Sequence, residues 1–302
     1  MKSPYRKLKV MVIGECGVDL ITSGASHRMS PEAPVPVIHG MTQISKTVGL
    51  AANVVENIIA LGASAELFSI IGKDDMGSWL VDQVRSSYFV TDLDRPTIIK
   101  DRLYVNGEAF ARIDTESTKD SSDSVESLFL EIAMEHIHKY DLVILQDYGK
   151  GLWSNTGLVR FIRACNETSV PVFVDPYKYR DVEKYFKASV IKANYDEAKA
   201  LTNTNDFWSP RELATHIEKR TGAVTVVTNG DKGMSSSSIE VPGINTIVSD
   251  VAGCGDTALS VLALHYTLTG NLKKSMVLAN KAASIKVSNV YHKKTVSWEK
   301  LK

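Results

Sequence analysis

The sequence predicts an α/β fold: a mainly parallel sheet flanked by helices on both faces, with a small β-sheet lid. Three observations lead there. Short continuous runs of Val, Ile and Leu alternate with longer helical stretches, the pattern of strands buried on both faces and the helices that cover them. Polar residues gather just after the apolar runs, at the strand ends where open α/β sheets place their sites. Two segments break the alternation and carry extended and hairpin signals instead.

Residues 9–13 read as the first buried strand. Gly49-Leu50-Ala51-Ala52-Asn53 opens a helical pattern that runs to about residue 61, where Gly62 ends it. A strand at 65–71 and a helix at 75–84 follow. The alternation continues as helix 126–138 with strand 142–145, helix 158–166 with strand 170–174, and helix 211–220 with strand 224–228. Residues 190–193 give one more strand, with a short helix after Asn194. Two consecutive helices, 256–268 and 272–287, come last.

In the two departing segments, Pro34-Val35-Pro36-Val37-Ile38 is extended because its prolines deny it a helix. Residues 97–105 and 109–113 flank an Asn106-Gly107 turn as antiparallel strands. They predict lid segments at about 15–45 and 95–115 within one domain spanning 1–302; an edge extension of the main sheet fits the same residues. The serines at 235–238 read as a solvated face.

The 302 residues suit one large domain, and the hydrophobic fraction of 44% is that of an ordinary globular protein. Lys plus Arg total 35 and Asp plus Glu total 35, so net charge gives no support for a nucleic-acid or membrane surface role. Cys16, Cys165 and Cys254 are too scattered for a disulfide framework or a zinc cluster. The apolar run 10–13 is too short for a signal peptide, and no stretch has the length of a membrane helix. A cytoplasmic protein is expected.

The strongest chemical signal is Ser249-Asp250-Val251-Ala252-Gly253-Cys254-Gly255-Asp256-Thr257, directly before an apolar helical run. Backbone N–H groups of Gly253, Cys254 and Gly255 at a helix start suit an anion. Asp256, a carboxylate in the same place, then reads as a base that takes a proton from a hydroxyl while those N–H groups hold a phosphoryl group. A Gly-rich turn capped by Asp or Thr fits the same residues. Other polar residues fall on the same rim: Asp19, Asp147 with Lys150, Asp175, Asn194 with Glu197, Thr228, Gly230, Gly233 and Asp250. There is no GxxxxGK[ST] loop, no HRD or DFG pair and no GxSxG elbow. Gly14-Glu15-Cys16-Gly17 is only a fragment of a dinucleotide fingerprint. The seven histidines, His292 among them, show no HExxH spacing, and His136 and His138 do not share a helix face.

With these residues in view, the chain resembles the ribokinase-like sugar kinases over nearly its whole length, and within them the bacterial heptose 7-phosphate kinases. The pieces are Ser30-Pro31-Glu32-Ala33-Pro34-Val35-Pro36-Val37, Gly49-Leu50-Ala51-Ala52-Asn53-Val54, Arg95-Pro96-Thr97 with Arg112-Ile113-Asp114, Asp147-Tyr148-Gly149-Lys150-Gly151, Val174-Asp175-Pro176, and Asn194 with Glu197. It departs at Leu20 and Ile21, where the branch has Arg and Tyr, at Leu50, where a second glycine is usual, and at Cys254, where alanine is usual.

The resemblance implies ATP and Mg2+ as cofactors and a phosphorylated sugar, heptose 7-phosphate, as the substrate phosphorylated at its anomeric hydroxyl. It assigns catalysis to Asp256 with Gly253, Cys254 and Gly255, and sugar contacts to Asp19, Gly49 and Asn53. It assigns phosphate or substrate contacts to Lys100, Arg102, Arg112, Asp147 and Lys150. Nucleotide contacts fall to Asn194, Glu197, Thr228, Gly230, Gly233, Asp250 and Asn280, with Asn194 and Glu197 reaching the metal through water. It also implies a homodimer through the lids, with Val35, Val37, Ile99, Leu103 and Val105 as candidates for the apolar face, and a separate downstream nucleotidyltransferase. A kinase for another sugar, a catalytically weak sugar–nucleotide binding protein and a nicotinamide oxidoreductase remain as alternatives; ATP turnover with phosphorylated sugars separates them.

Overall fold

The computed structural model describes residues 2–204, 207–288 and 295–301; His292 lies outside them. In chain order the first elements are β1 (Lys9–Gly14), β2 (Cys16–Ala25), β3 (His39–Leu50), α1 (Ala51–Ala60), β4 (Ser64–Gly72), α2 (Asp75–Gln83), β5 (Ser87–Asp92), β6 (Ile98–Val105) and β7 (Glu108–Thr115). Then come α3 (Asp123–His136), β8 (Leu142–Gln146), α4 (Asn155–Glu167), β9 (Val172–Asp175), β10 (Val190–Asn194), α5 (Tyr195–Thr202), α6 (Pro210–Thr221) and β11 (Val224–Thr228). The last are β12 (Gly233–Ser235), β13 (Glu240–Pro242), α7 (Cys254–Thr269), α8 (Leu272–Ser288) and α9 (Trp298–Leu301).

The main sheet has nine strands in the order β13-β12-β11-β10-β9-β8-β1-β4-β5, parallel from β11 to β5 with β12 and β13 antiparallel. Its strands are apolar on both faces because both faces are covered. In β1, Val10 and Val12 enter the core under α1, α7 and α8, while Met11 and Ile13 enter the core under α3, α4 and α6. Full burial of each such side chain contributes about 1.5–3 kcal/mol. The parallel register brings the C-terminal ends of β1, β8, β9, β10 and β11 to one rim.

A second sheet of four strands, order β3-β2-β6-β7, stands beside that rim. The Asn106-Gly107 hairpin joins β6 and β7 as the sequence predicts, with Asn106 at φ 54° and Gly107 at φ 86°. The rest of the sheet differs from the expectation. Residues 34–38 make only an isolated bridge, Met29 to Pro36, and the partner strands are β2 and β3. Their alternating polar residues hide them from a search for apolar runs. Gly49 and Leu50 still pair with Gly17 and Cys16 in β3, so the helix begins at Ala51. Strand β5 also goes unread, because it is a half-exposed edge.

Two further expectations are corrected. Leu103 and Val105 are buried within the protomer and Ile99 packs on its core, so they cannot form an exposed apolar face. The serines at 235–238 form the β12–β13 connection: Ser236 is buried and its hydroxyl accepts from the Ile239 N–H.

Candidate active site

A cleft of about 890 Å³ lies between the rim and the small sheet. Side chains alternate along a strand, so Asp19 and Ile21 of β2, Ser45 and Thr47 of β3, and Lys100, Arg102 and Tyr104 of β6 line its one wall. The rim supplies the other wall through Tyr148, Asp175, Lys192, Asn194, Glu197, Thr228 and the turn before α7.

Asp256 sits in the first turn of α7, where it accepts from Asn53 Nδ2 at 2.6 Å and from the Tyr148 hydroxyl at 3.4 Å. Burial and the neighbouring Asp175 carboxylate raise its pKa to about 6, against the pull of Asn53 and Lys192. Lys192, only 4% exposed, pairs with Asp175 at 2.8 Å. Burial pulls its pKa down, but Asp175 and Glu197 outweigh that, and the ammonium is held above its usual value. A Cβ on Gly255 would come within 3.1 Å of this ammonium, so a side chain there would crowd the lysine.

Gly253 caps α7 with φ 71°, a left-handed conformation that glycine adopts without strain. The turn corrects one expectation. The Cys254 N–H donates to the Val251 carbonyl at 3.3 Å, so it is not part of the open set. Among the described residues, no acceptor takes the N–H groups of Gly253, Gly255 or Asp256. Three unpaired donors at the positive end of a sixteen-residue helix have the geometry that suits an anion.

Glu15 connects the two walls. Its buried carboxylate accepts from the N–H groups of Tyr148, Lys150 and Leu152, and so shapes the loop that presents Tyr148 to Asp256. Burial, then the Asp147 carboxylate, raises its pKa to about 7.

On the small sheet Asp19 pairs with Arg102 at 3.1 Å. Gly49 lies beside it: a Cβ there would sit 2.8 Å from the Asp19 carboxylate, so the glycine makes room for that side chain. Lys100 contacts Asp114 and Glu116 at 3.4 and 3.5 Å, and Lys150 pairs with Glu116. Leu20 is buried in the core, whereas Ile21 lines the cleft.

Not every expected residue reaches the cleft. Arg112 is exposed on β7, locked onto Asp114 by two hydrogen bonds. Asp147 borders the cleft, but its carboxylate is taken by Arg180, Tyr185 and the Gly149 N–H, which makes it a loop anchor. Asn280 is buried and donates to the Pro242 carbonyl, holding β13 to α8. Gly233 is buried at φ 93°, and a Cβ would strike the Val241 carbonyl at 2.1 Å. Asn194, Glu197, Thr228, Gly230 and Asp250 do line the cleft. Asn194 and Glu197 form a capping box at the start of α5, and burial with Asp175 raises the Glu197 pKa to about 7.

Tyr148, Lys192 and Lys286 are cleft residues that sequence reasoning misses. Lys192 carries a signal in retrospect, since a lysine inside an apolar parallel strand must be paired or functional. Tyr148 lies within the 147–151 motif but nothing there assigns it a role, and Lys286 carries no signal.

The chain is 35% identical over 296 residues to the bifunctional protein HldE of Azorhizobium caulinodans, covering 93% of this chain and 61% of that protein. It is 32% identical to the protein of the same name from Nitratiruptor, covering 94% and 62%. The chain thus spans about three fifths of the length of these curated relatives. In fold it is similar to the ribokinase of Thermotoga maritima, with a TM-score of 0.74 at 17% identity, covering 97% and 98% of the two chains. It is also similar to phosphofructokinase-2 of Escherichia coli, with a TM-score of 0.75 at 17% identity, covering 97% of each. Residues 7–298, a span that takes in both sheets and the cleft between them, match the pfkB family carbohydrate kinase profile, and the chain belongs to that family.

Proposed function

We propose that this chain transfers the γ-phosphoryl group of ATP to a phosphorylated sugar, heptose 7-phosphate, at its anomeric hydroxyl. The observation that carries this reading is the Asp256 carboxylate, with a pKa of about 6, beside the unpaired N–H groups of Gly253, Gly255 and Asp256. Asp256 takes the hydroxyl proton as the oxygen attacks, and the N–H groups hold the negative charge of the group in transfer. Asp19 and Asn53 orient sugar hydroxyls. Lys100 and Arg102 face the substrate's own phosphate, which displaces their carboxylate partners. Thr228, Gly230 and Asp250 border the nucleotide.

The acidic pair Asp175 and Glu197 fits a hydrated Mg2+ ion. The Asp175 carboxylate raises the pKa of both Glu197 and Asp256 on the same rim, an excess of negative charge that a divalent cation would relieve. Among the described residues no three His, Cys, Asp or Glu side chains form a direct ligand cluster, so Asn194 and Glu197 would hold the ion through water. The ion, when bound, neutralises phosphate charge.

The heptose reading rests on the similarity to the HldE proteins and on the motifs at residues 30–37, 95–114 and 147–151. The small sheet acts as a lid that excludes water. Its exposed Met41, Ile44, Phe110 and Ile113 support pairing of two lids in a homodimer. A nucleotidyltransferase acts on the product. ADP release measured with Mg-ATP over a panel of sugars and sugar phosphates tests the reading. Heptose 7-phosphate should give the highest kcat/KM; a higher value for ribose, fructose 6-phosphate or adenosine overturns the assignment.

A further inference from the structure

Lys286 differs from the other buried cation of the cleft. Lys192 has Asp175 at 2.8 Å. Lys286 is 8% exposed, yet among the described residues it has no carboxylate within ion-pair distance and no hydrogen bond. The stem is covered while the unpaired ammonium opens onto the cleft, where an arriving anion can meet it.

Its position says where that anion sits. Lys286 lies in the last turn of α8, whose Val287 carbonyl accepts the N–H groups of Ser249 and Asp250 at 2.8 and 3.2 Å. The helix end is thereby clamped to the chain that enters the anion-binding turn. From there the side chain reaches Gly253: its Cε is 3.7 Å from the point where a Cβ on that glycine would sit. Asp256 Oδ2 is 3.8 Å from the same point. Lys286 lines the cleft together with Gly253, Gly255 and Asp256. Its charge also draws the Cys254 thiol downward, against burial, which pushes that pKa up to about 11. Lys192 approaches the turn at Gly255 and Lys286 approaches it at Gly253, so two lysine side chains reach the turn that carries the three open N–H groups.

We propose that Lys286 is a phosphate-contacting residue of the anion-binding turn, its ammonium pairing with the terminal phosphate of a nucleoside triphosphate. The proposal deepens the kinase reading and rests on it for the identity of the anion. A lysine that merely complements the negative end of α8 would give the same exposure but no preference among nucleotides.

Calorimetric titration of Lys286→Met and Lys286→Arg with Mg-ATP, Mg-ADP and adenosine separates the two roles. Lys286→Met should weaken Mg-ATP about tenfold or more, Mg-ADP by less than about threefold, and leave adenosine unchanged; Lys286→Arg should stay within about threefold for all. Lys286→Gln replaces the Met variant if that variant does not fold. Unchanged Mg-ATP affinity, or equal loss for all three ligands, overturns the proposal. Sulfate provides an arm that needs no kinase chemistry: it should raise the melting temperature of the wild type and not that of Lys286→Met. If sulfate behaves so while no sugar is phosphorylated, the kinase reading fails and the lysine's role stands. If sugar turnover is normal and Lys286→Met matches the wild type, the reverse holds.

Discussion

The two walls of the cleft handle charge in opposite ways. On the rim, the carboxylates of Asp175, Glu197 and Asp256 crowd around Lys192, and both Glu197 and Asp256 are pushed up in pKa. On the small sheet, Lys100 and Arg102 each hold a carboxylate partner in partly solvated surroundings. The rim is built on parallel strands buried on both faces, so its charges stay desolvated and fixed. The small sheet meets solvent, and its pairs can be exchanged at little cost. A desolvated, poised carboxylate suits chemistry; exchangeable ion pairs suit a substrate that brings its own phosphate. Perturbed groups in a cleft mark the first kind of wall.

Breaking the rim should therefore cost far more than breaking the small sheet. Asp256→Asn is expected to lower kcat by about 10³-fold, the scale of a lost general base. Because the fold holds the Asp256 proton more tightly than the unfolded chain does, the ionised carboxylate costs stability as pH rises through about 6. The variant should melt at or above the wild-type temperature, and a large drop in melting would mean that Asp256 is structural. Lys192→Met removes the cation shared by the three carboxylates. The acidic limb of the kcat/KM profile should then move up by about one pH unit, with activity down about tenfold or more at neutral pH. An unmoved limb would detach Lys192 from the base.

In the wild type, kcat/KM should fall about tenfold per pH unit below about pH 6, since protonated Asp256 cannot act as the base. A limb near pH 4 would show an unperturbed carboxylate. On the other wall, Arg102→Ala should raise the sugar KM by only about three- to tenfold and change stability by less than about 1 kcal/mol. The smallest effect is expected at Leu50, which lines the cleft at φ 57° and ψ −133°, a conformation suited to glycine. Leu50→Gly relieves that strain and should alter the melting temperature by only a few degrees, the sum of relieved strain and lost packing. A strongly destabilised variant would show that the side chain's packing dominates.

The same contrast governs how much the sequence reveals. The main sheet is legible because buried parallel strands are continuous apolar runs, as in 142–145 and 224–228. Strands β2 and β3 are not, because the face toward the cleft must be polar and breaks the run at Asp19, Ser45 and Thr47. Asp256 and its glycines are readable, since a helix-start anion site is local in sequence. The function of Asp147 is not, because Arg180 and Tyr185, which take its carboxylate, come from a distant loop. Cys254 shows the limit of motif reading: its residue type fits the turn, but its N–H is turned to Val251.

The most direct test of the account is the product itself. Wild-type protein incubated with Mg-ATP and heptose 7-phosphate should consume ATP only when the sugar is present. Phosphorus NMR should show ADP and a new phosphate on the anomeric oxygen in equal amounts, with neither appearing at a comparable rate for Asp256→Asn. ATP loss that ignores the sugar, a phosphate on another oxygen, or an Asp256→Asn variant as fast as the wild type would contradict it.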